Sequence, residues 1–283
     1  MEDLQPITAL ILVANALITY QGFKQPALFQ RYLFSPEAIL AGKDYKRLIT
    51  SGFLHVDWTH FGFNMVGLYL FGMHLEAFLP PGQYLLIYFG SLLGGSLISL
   101  YFHRFKVNYT AVGASGAISG LVFAFIAVDP GARLGMLFLP GLSLPGWLFG
   151  ALYLAYTFRS IRRQVDNIGH EAHFGGSLIG ILLMVAIMPT DMVRENLAVI
   201  LLLILPSLGF LGVALWRPHW LYMEQPFNPK ARASRNLTIE DRDNARKKDH
   251  ETKMNEVLDK INQHGMESLT QRDKDILSGK LNE

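Results

Sequence analysis

Charge is distributed very unevenly along this chain, and that distribution constrains the fold more than any other feature. Residues 217–283 hold 13 of the 25 Lys and Arg and 12 of the 23 Asp and Glu. The first 216 residues are correspondingly poor in charge, and the chain as a whole is 17% charged against roughly 25% for soluble domains. A stretch with so few charges cannot solvate its surface, so it reads as a polytopic membrane protein with a soluble tail.

Seven apolar runs approach the length a helix needs to cross about 30 Å of hydrocarbon. They are Ile7–Phe23, His60–Leu79, Tyr84–Phe102, Val112–Val128, Trp147–Phe158 with part of the loop before it, Glu171–Met188 and Leu197–Trp216. Pro140 and Pro145 interrupt the approach to the fifth. The expected fold is therefore all-α, a polytopic transmembrane helical bundle of about seven spans. A half-apolar loop, Lys24 to Trp58, separates the first two spans and reads either as lying on the membrane face or as packed on the bundle. Three small-xxx-small pairs, Gly90/Gly94, Gly116/Gly120 and Gly176/Gly180, predict a tight bundle centre.

Four chain segments follow from the pattern: a six-helix membrane core over 1–190, a seventh transmembrane helix over 191–217, a flexible polar linker over 218–248 and a small helical hairpin over 249–283. Met254, Val257, Leu258 and Ile261 recur at helical spacing in the first tail helix, with Gly265 as its stop. Thr270 and Asp273 have capping-box spacing at the start of the second. So small a hairpin has little core of its own, and an unidentified partner for the tail is expected.

Net charge is +2, with no dense basic stripe, so nucleic acid is not an expected partner. The absence of cysteine removes thiolate metal sites and a cysteine nucleophile. HEAH, at 170–173, has the wrong spacing for the HExxH zinc helix, and no metal or cofactor is implied.

Polar groups inside the spans are the candidates for function. Ser115 stands in GASG at the start of the fourth span; Gly113 and Gly116 strip side chains from around it. Serine needs a base, and His173, at the start of the sixth span, enters from the same side. His60 and Asn64 lie four apart on one face of the second span, and side-chain donors there suit an oxyanion hole. His55 reads as structural, Glu76 as a structural partner of backbone donors, and Glu171 as a surface charge at a helix start.

HxxxN in span two, GxSG in span four and AHxxGxxxG in span six (Ala172, His173, Gly176, Gly180) together resemble the rhomboid intramembrane serine proteases, over roughly residues 1–190. The resemblance implies Ser115 as nucleophile, His173 as general base, and His60, Asn64 and the Ser115 N–H as the oxyanion hole. Glu76 falls at the family's span-two glutamate, and Arg47 at the arginine of its first-loop Trp-Arg pair. Two positions depart: Lys46 replaces the tryptophan, and Ser119 stands where an aromatic often follows the nucleophile by four residues. His170 is a candidate to hold the imidazole instead. The seventh span matches six-plus-one members.

The implied activity is hydrolysis of a peptide bond in or near the transmembrane segment of single-span membrane proteins that enter from the lipid bilayer. A catalytically inactive rhomboid-like binding or chaperone protein is the alternative; such relatives would be expected to lack Ser or His. Family topology places the catalytic mouth outside. The positive-inside rule prefers the reverse, because Lys24, Arg31, Lys43, Lys46, Arg47, Arg104, Lys106, Arg159, Arg162 and Arg163 all fall on the mouth side. A bacterial cytoplasmic membrane is the expected location.

Overall fold

The computed structural model describes residues 5–106, 108–136, 139–163 and 168–216, together with Met254, Val257, Lys260, Thr270 and Asp273. The chain divides into two compact units, Met1–Pro226 and Phe227–Glu283.

Apolar stretches bounded by Pro and Gly become the helices of the first unit. They are α1 (Pro6–Lys24), α2 (Pro26–Tyr32), α3 (Pro36–Leu40), α4 (Arg47–Thr50), α5 (Trp58–Gly67), α6 (Met73–Phe78), α7 (Pro81–His103), α8 (Ser115–Val128), α9 (Gly146–Arg163), α10 (His170–Ile187), α11 (Thr190–Glu195) and α12 (Leu197–Trp216). A π-helical turn, Leu68–Gly72, joins α5 to α6, so the second expected span is one continuous helical path with a widened middle. By length and composition α1, α7, α10 and α12 can each cross a membrane, and the protein is an all-α, multi-pass integral membrane protein.

The fifth expected span needs correction at both ends. Its helix runs to Arg163, beyond Phe158, and a two-stranded antiparallel hairpin precedes it: β1 (Arg133–Met136) and β2 (Leu139–Pro145). Proline lacks the N–H that a helix interior needs but is tolerated on a strand without a second neighbour. Pro140 and Pro145 therefore delay the helix until Gly146 rather than kinking it.

α8 is the centre. Eleven of its fourteen residues are buried. It packs against α7 and α10, and glycine makes both approaches possible. A Cβ on Gly176 would run into the carbonyl of Gly116, and one on Gly180 into the backbone of Gly120. A Cβ on Gly95 would meet the carbonyl of Ala172 at 2.5 Å. Gly90 and Gly94 act differently: they receive the side chains of Leu183 and Ile179 from α10. The three predicted pairs thus build one seam, two of them by backbone approach and one as a socket.

The ends of the helices are tied by polar side chains that meet backbone groups. Glu76 accepts from the N–H groups of Ile7 (2.7 Å) and Thr8 (2.6 Å), which are unpaired donors in the first turn of α1. The carboxylate also faces the positive end of that helix dipole. Asn196 donates to the carbonyls of Ala127 (2.9 Å) and Val128 (3.0 Å) at the end of α8. α12 packs through Phe210, which stacks on Phe158 at 4.4 Å and meets Phe174 edge-on at 5.3 Å.

The loop between spans one and two is packed on the bundle. Leu33, Phe34, Ile39, Leu48 and Leu54 are buried. Arg47 organises it, donating to the carbonyls of Gln30 (2.9 Å) and Leu33 (2.8 Å) and to Asp44 (2.9 Å). The Arg47 guanidinium holds the Asp44 carboxyl below its usual range. His55 is buried at the end of the loop, with Nδ1 2.8 Å from Thr19 Oγ1, and is structural as expected.

In the second unit, Met254, Val257 and Lys260 are helical. The capping box forms: the Thr270 N–H donates to Asp273 Oδ2 (2.9 Å) and the Asp273 N–H to Thr270 Oγ1 (3.3 Å). Lys260 pairs with Asp273 at 2.7 Å and holds its carboxyl at about 2. Leu258, Ile261, Gly265 and the linker expected over 218–248 lie outside the described residues.

Two predictions follow from this packing. Gly176→Ala should lower the unfolding free energy by about 2 kcal/mol, the scale of overpacking. Gly209→Ala, inside α12 where a Cβ meets nothing within 4 Å, should not lower it. Unfolding in detergent micelles measures both, and equal effects would reject the seam. Separately, burial, with a smaller contribution from His60, pushes His55 down to about 3, against about 6.5 in an unfolded chain. The unfolded state therefore binds the extra proton first as pH falls. The stabilisation from neutral His55 is complete above about pH 6.5 and is withdrawn toward pH 3. Melting temperature should fall across that window, and less steeply in His55→Gln; parallel slopes would assign the acid lability elsewhere.

Candidate active site

α8 begins at Ser115 because Gly113, two residues before it, is held out of helical conformation. Gly113 has φ +131°, a conformation L side chains rarely adopt, and a Cβ there would also sit 2.8 Å from the His60 ring. The segment is held from outside: the Gly113 N–H donates to the Ser51 carbonyl (3.0 Å), and Ala111 exchanges two backbone hydrogen bonds with Phe34 (3.0 and 3.2 Å). The first loop is therefore the clamp on the approach to Ser115. A helix of fourteen residues spans about 21 Å, short of the roughly 30 Å hydrocarbon thickness. Non-helical backbone at such depth is tolerated where protein buries it or a wet cavity meets it.

His173 lies in the first turn of α10, with its N–H donating to the carbonyl of Gly169 (3.2 Å). Its Nε2 stands 2.6 Å from Ser115 Oγ, a hydrogen bond across the Gly116–Gly176 seam. His170 is buried and presents its ring edge-on to His173, centroids 5.9 Å apart, while Tyr156 closes on His170 at 5.4 Å. The alternative support expected from His170 is thus in contact with the imidazole.

His60 and Asn64 share a face of α5. Asp57 caps that helix by accepting from the His60 N–H (2.7 Å), which fixes where the pair begins. The Asn64 amide donates one N–H to the His60 carbonyl (2.8 Å); the group has a second. His60 Nδ1 and Asn64 Oδ1 are buried without a hydrogen bond to the protein. Ser115, His173, His60 and Asn64 all line one cavity of about 700 Å³.

Four features escaped the sequence or were misread. Glu171 is not a surface charge: it is buried, and its Oε2 stands 3.2 Å from His103 Nε2. The helix start that was expected to be solvated is covered by the end of α7. Tyr109 stacks on His103 at 3.5 Å, and nothing in the spacing marks either residue. Tyr153 of α9 brings its hydroxyl 2.6 Å from Ser119 Oγ, which also donates to the Ser115 carbonyl (2.8 Å). An aromatic does border the site, but from a neighbouring helix. Lys46, in the tryptophan's place, is half-exposed and pairs with Asp44 at 3.3 Å.

Comparison with known proteins agrees with this architecture. The Rhomboid domain family matches residues 42–190, just over half of the chain. The tail, residues 237–279, matches a family of unknown function, DUF6576. RHOMBOID-like protein 12, mitochondrial, of Arabidopsis thaliana is 27% identical over 60% of this chain and 54% of its own length. Rhomboid protein 1, mitochondrial, of Saccharomyces cerevisiae is 30% identical over 53% of this chain and 45% of its own. Rhomboid protease GluP of Bacillus subtilis is 30% identical over 64% of this chain and 34% of its own. The chain thus spans about half the length of these relatives, or less, and they include both mitochondrial and bacterial proteins. A membrane bundle with the matching domain over its core places the conclusion beyond resemblance: the chain belongs to the rhomboid family.

Proposed function

We propose that the protein is an intramembrane serine endopeptidase working through a Ser115–His173 dyad. The 2.6 Å contact between Ser115 Oγ and His173 Nε2 carries this reading. A serine hydroxyl is a weak nucleophile until a base takes its proton, and a neutral imidazole at hydrogen-bond distance is that base.

The reaction follows from the placement. Ser115 Oγ attacks the scissile carbonyl while His173 Nε2 takes the proton. The carbonyl oxygen becomes an oxyanion facing the Ser115 N–H, which has no intrahelical acceptor at the start of α8. His60 and Asn64 supply side-chain donors from α5. His173 then returns the proton to the leaving amine, and the bond to nitrogen breaks. Water reaching the cavity attacks the acyl-enzyme with His173 again as base, and Ser115 is regenerated. Asp57, Thr59 and Thr110 among the lining residues supply polar surface for that water.

Ser115 and His173 stand at the starts of helices in a membrane bundle, which supports a substrate class that reaches the site from lipid. The partners would be single-span membrane proteins entering from the bilayer, and their helix must unwind locally, because a helical peptide bond is shielded by its own turn. Arg47, Glu76, Gly113, Gly116, Gly176 and Gly180 act by support: the first two anchor the loop and α1, Gly113 gives the turn before Ser115 its positive φ beside the His60 ring, and the other three glycines permit the approach of α8 to α10.

The test is cleavage of a fluorogenic single-span substrate by the purified full chain. Wild type should cut and Ser115→Ala should not, and a fluorophosphonate should label wild type alone. Asn64→Ala should reduce kcat by about 10²–10³, the loss found when one oxyanion donor is removed. A wild type that neither cuts nor labels would end the protease reading in favour of a binding protein.

A further inference from the structure

The seam between α7, α8 and α10 fixes how closely the helices approach, and Leu183 and Ile179 seat on Gly90 and Gly94 further along α10 than His173, but the end of the seam nearest His173 is lined by small residues. Gly95 beside Ala172, and Gly175 beside Gly94 and Gly95, place little in the way of an axial slip. One residue of slip moves a helix by about 1.5 Å, enough to break a 2.6 Å contact between Ser115 and His173. At this end something else must hold the axial register.

The polar cluster at the mouth end of the seam has the right placement. His103 is the last residue of α7, and Glu171 is the second of α10, two residues before His173. Their side chains are 4% and 6% exposed, and Nε2 and Oε2 are 3.2 Å apart. The carboxylate faces the positive start of α10 and the imidazole the negative end of α7, so each suits its own helix terminus. Tyr109, on the segment leading into Ser115, lies flat on His103, with centroids 3.5 Å apart and planes 11° from parallel. Phe34 of the first loop meets the other edge of Tyr109 at 6.2 Å. Three elements therefore converge here: the end of α7, the approach to the serine, and the start of the helix that carries the histidine.

A buried polar contact adds little stability over apolar side chains of the same shape, yet a buried polar group that loses its partner is costly. Such a pair discriminates one register from its neighbours more than it strengthens the fold. We propose that His103 and Glu171, with Tyr109 stacked on the imidazole, are positioning residues that lock α10 axially against α7 and so hold His173 at Ser115. The inference rests on the serine-protease reading and deepens it.

The test measures four quantities on the full chain in detergent: kcat, KM, the fluorophosphonate labelling rate per folded molecule, and the melting temperature. Glu171→Ala and His103→Ala should each lower kcat and the labelling rate by about 10–10²-fold, the scale expected for a misplacement near 1 Å. KM should stay unchanged, because the cavity wall is left in place. Glu171→Gln, which keeps the length and an acceptor oxygen, should recover most of both rates. If the alanine variants do not fold, Tyr109→Leu carries the test. It should slow labelling in the same sense, while Tyr109→Phe, which keeps the stacked ring, should not. A lower melting temperature with an unchanged labelling rate per folded molecule would make the cluster merely structural and overturn the proposal. A wild type without labelling would instead fell the protease reading, and this inference with it.

Discussion

Everything at the proposed site depends on how closely α8 and α10 approach. The Gly116–Gly176 and Gly120–Gly180 contacts are backbone against backbone, closer than any side chain allows. In lipid there is no hydrophobic drive to push helices together, so packing at this range supplies the association itself. The same closeness lets a short serine side chain on one helix reach a histidine on the next. With an alanine methyl at each seam position the helices would stand further apart and the hydroxyl would fall short. The small residues are thus not background to the polar pair; they are what makes a 2.6 Å contact possible.

A second constraint is that polar groups taken from water must find partners. The chain meets it mostly with backbone acceptors and donors rather than with opposite charges. Glu76 closes the start of α1, Asn196 the end of α8, and Arg47 gathers two loop carbonyls and one acid. Each of these joins segments far apart in sequence, so each also fixes topology. The first loop gains most. Arg47 shapes it, and its Ser51 carbonyl and Phe34 backbone then hold the segment that turns into Ser115. A loop remote in sequence in this way decides where α8 begins.

These two constraints explain what could be read in advance. The spans were legible because apolar length is a local property, and six of them both begin and end within a few residues of the helices that form. The glycine pairs were legible because their period is that of a helix face. The contact between Ser115 and His173 was legible through depth, since both stand just inside spans that enter from one side, and through the three motifs taken together. What stayed hidden depends on lateral neighbours. Glu171 looks like an ordinary solvated charge at a helix start until α7 is seen to cover it. Tyr153 is one aromatic among several on α9, and only packing brings its hydroxyl to Ser119. The hairpin before α9 was hidden for another reason: prolines predict where a helix cannot run but not what replaces it.

The two departures from the family pattern can be weighed in the same terms. A tryptophan beside Arg47 would bury an aromatic in the loop; Lys46 leaves that place half-exposed and pairs with Asp44 instead. Asp44 is also Arg47's acid, so the substitution adds a charge to a network rather than removing a packing element. At Ser119 an aromatic would need space where α9 already brings Tyr153 against the site. The small hydroxyl returns its own donor capacity to the Ser115 carbonyl and leaves the ring to come from the neighbouring helix. Support for the imidazole is then divided. His170 meets the ring edge-on from within its own helix, and α9 closes the cavity wall through Tyr153 and Phe149. That division makes the site depend on the placement of α9, and α9 is held in turn by the stacking of Phe158 on Phe210 of α12. α12, remote from the dyad, is thereby part of the chain of contacts that shapes the wall around it.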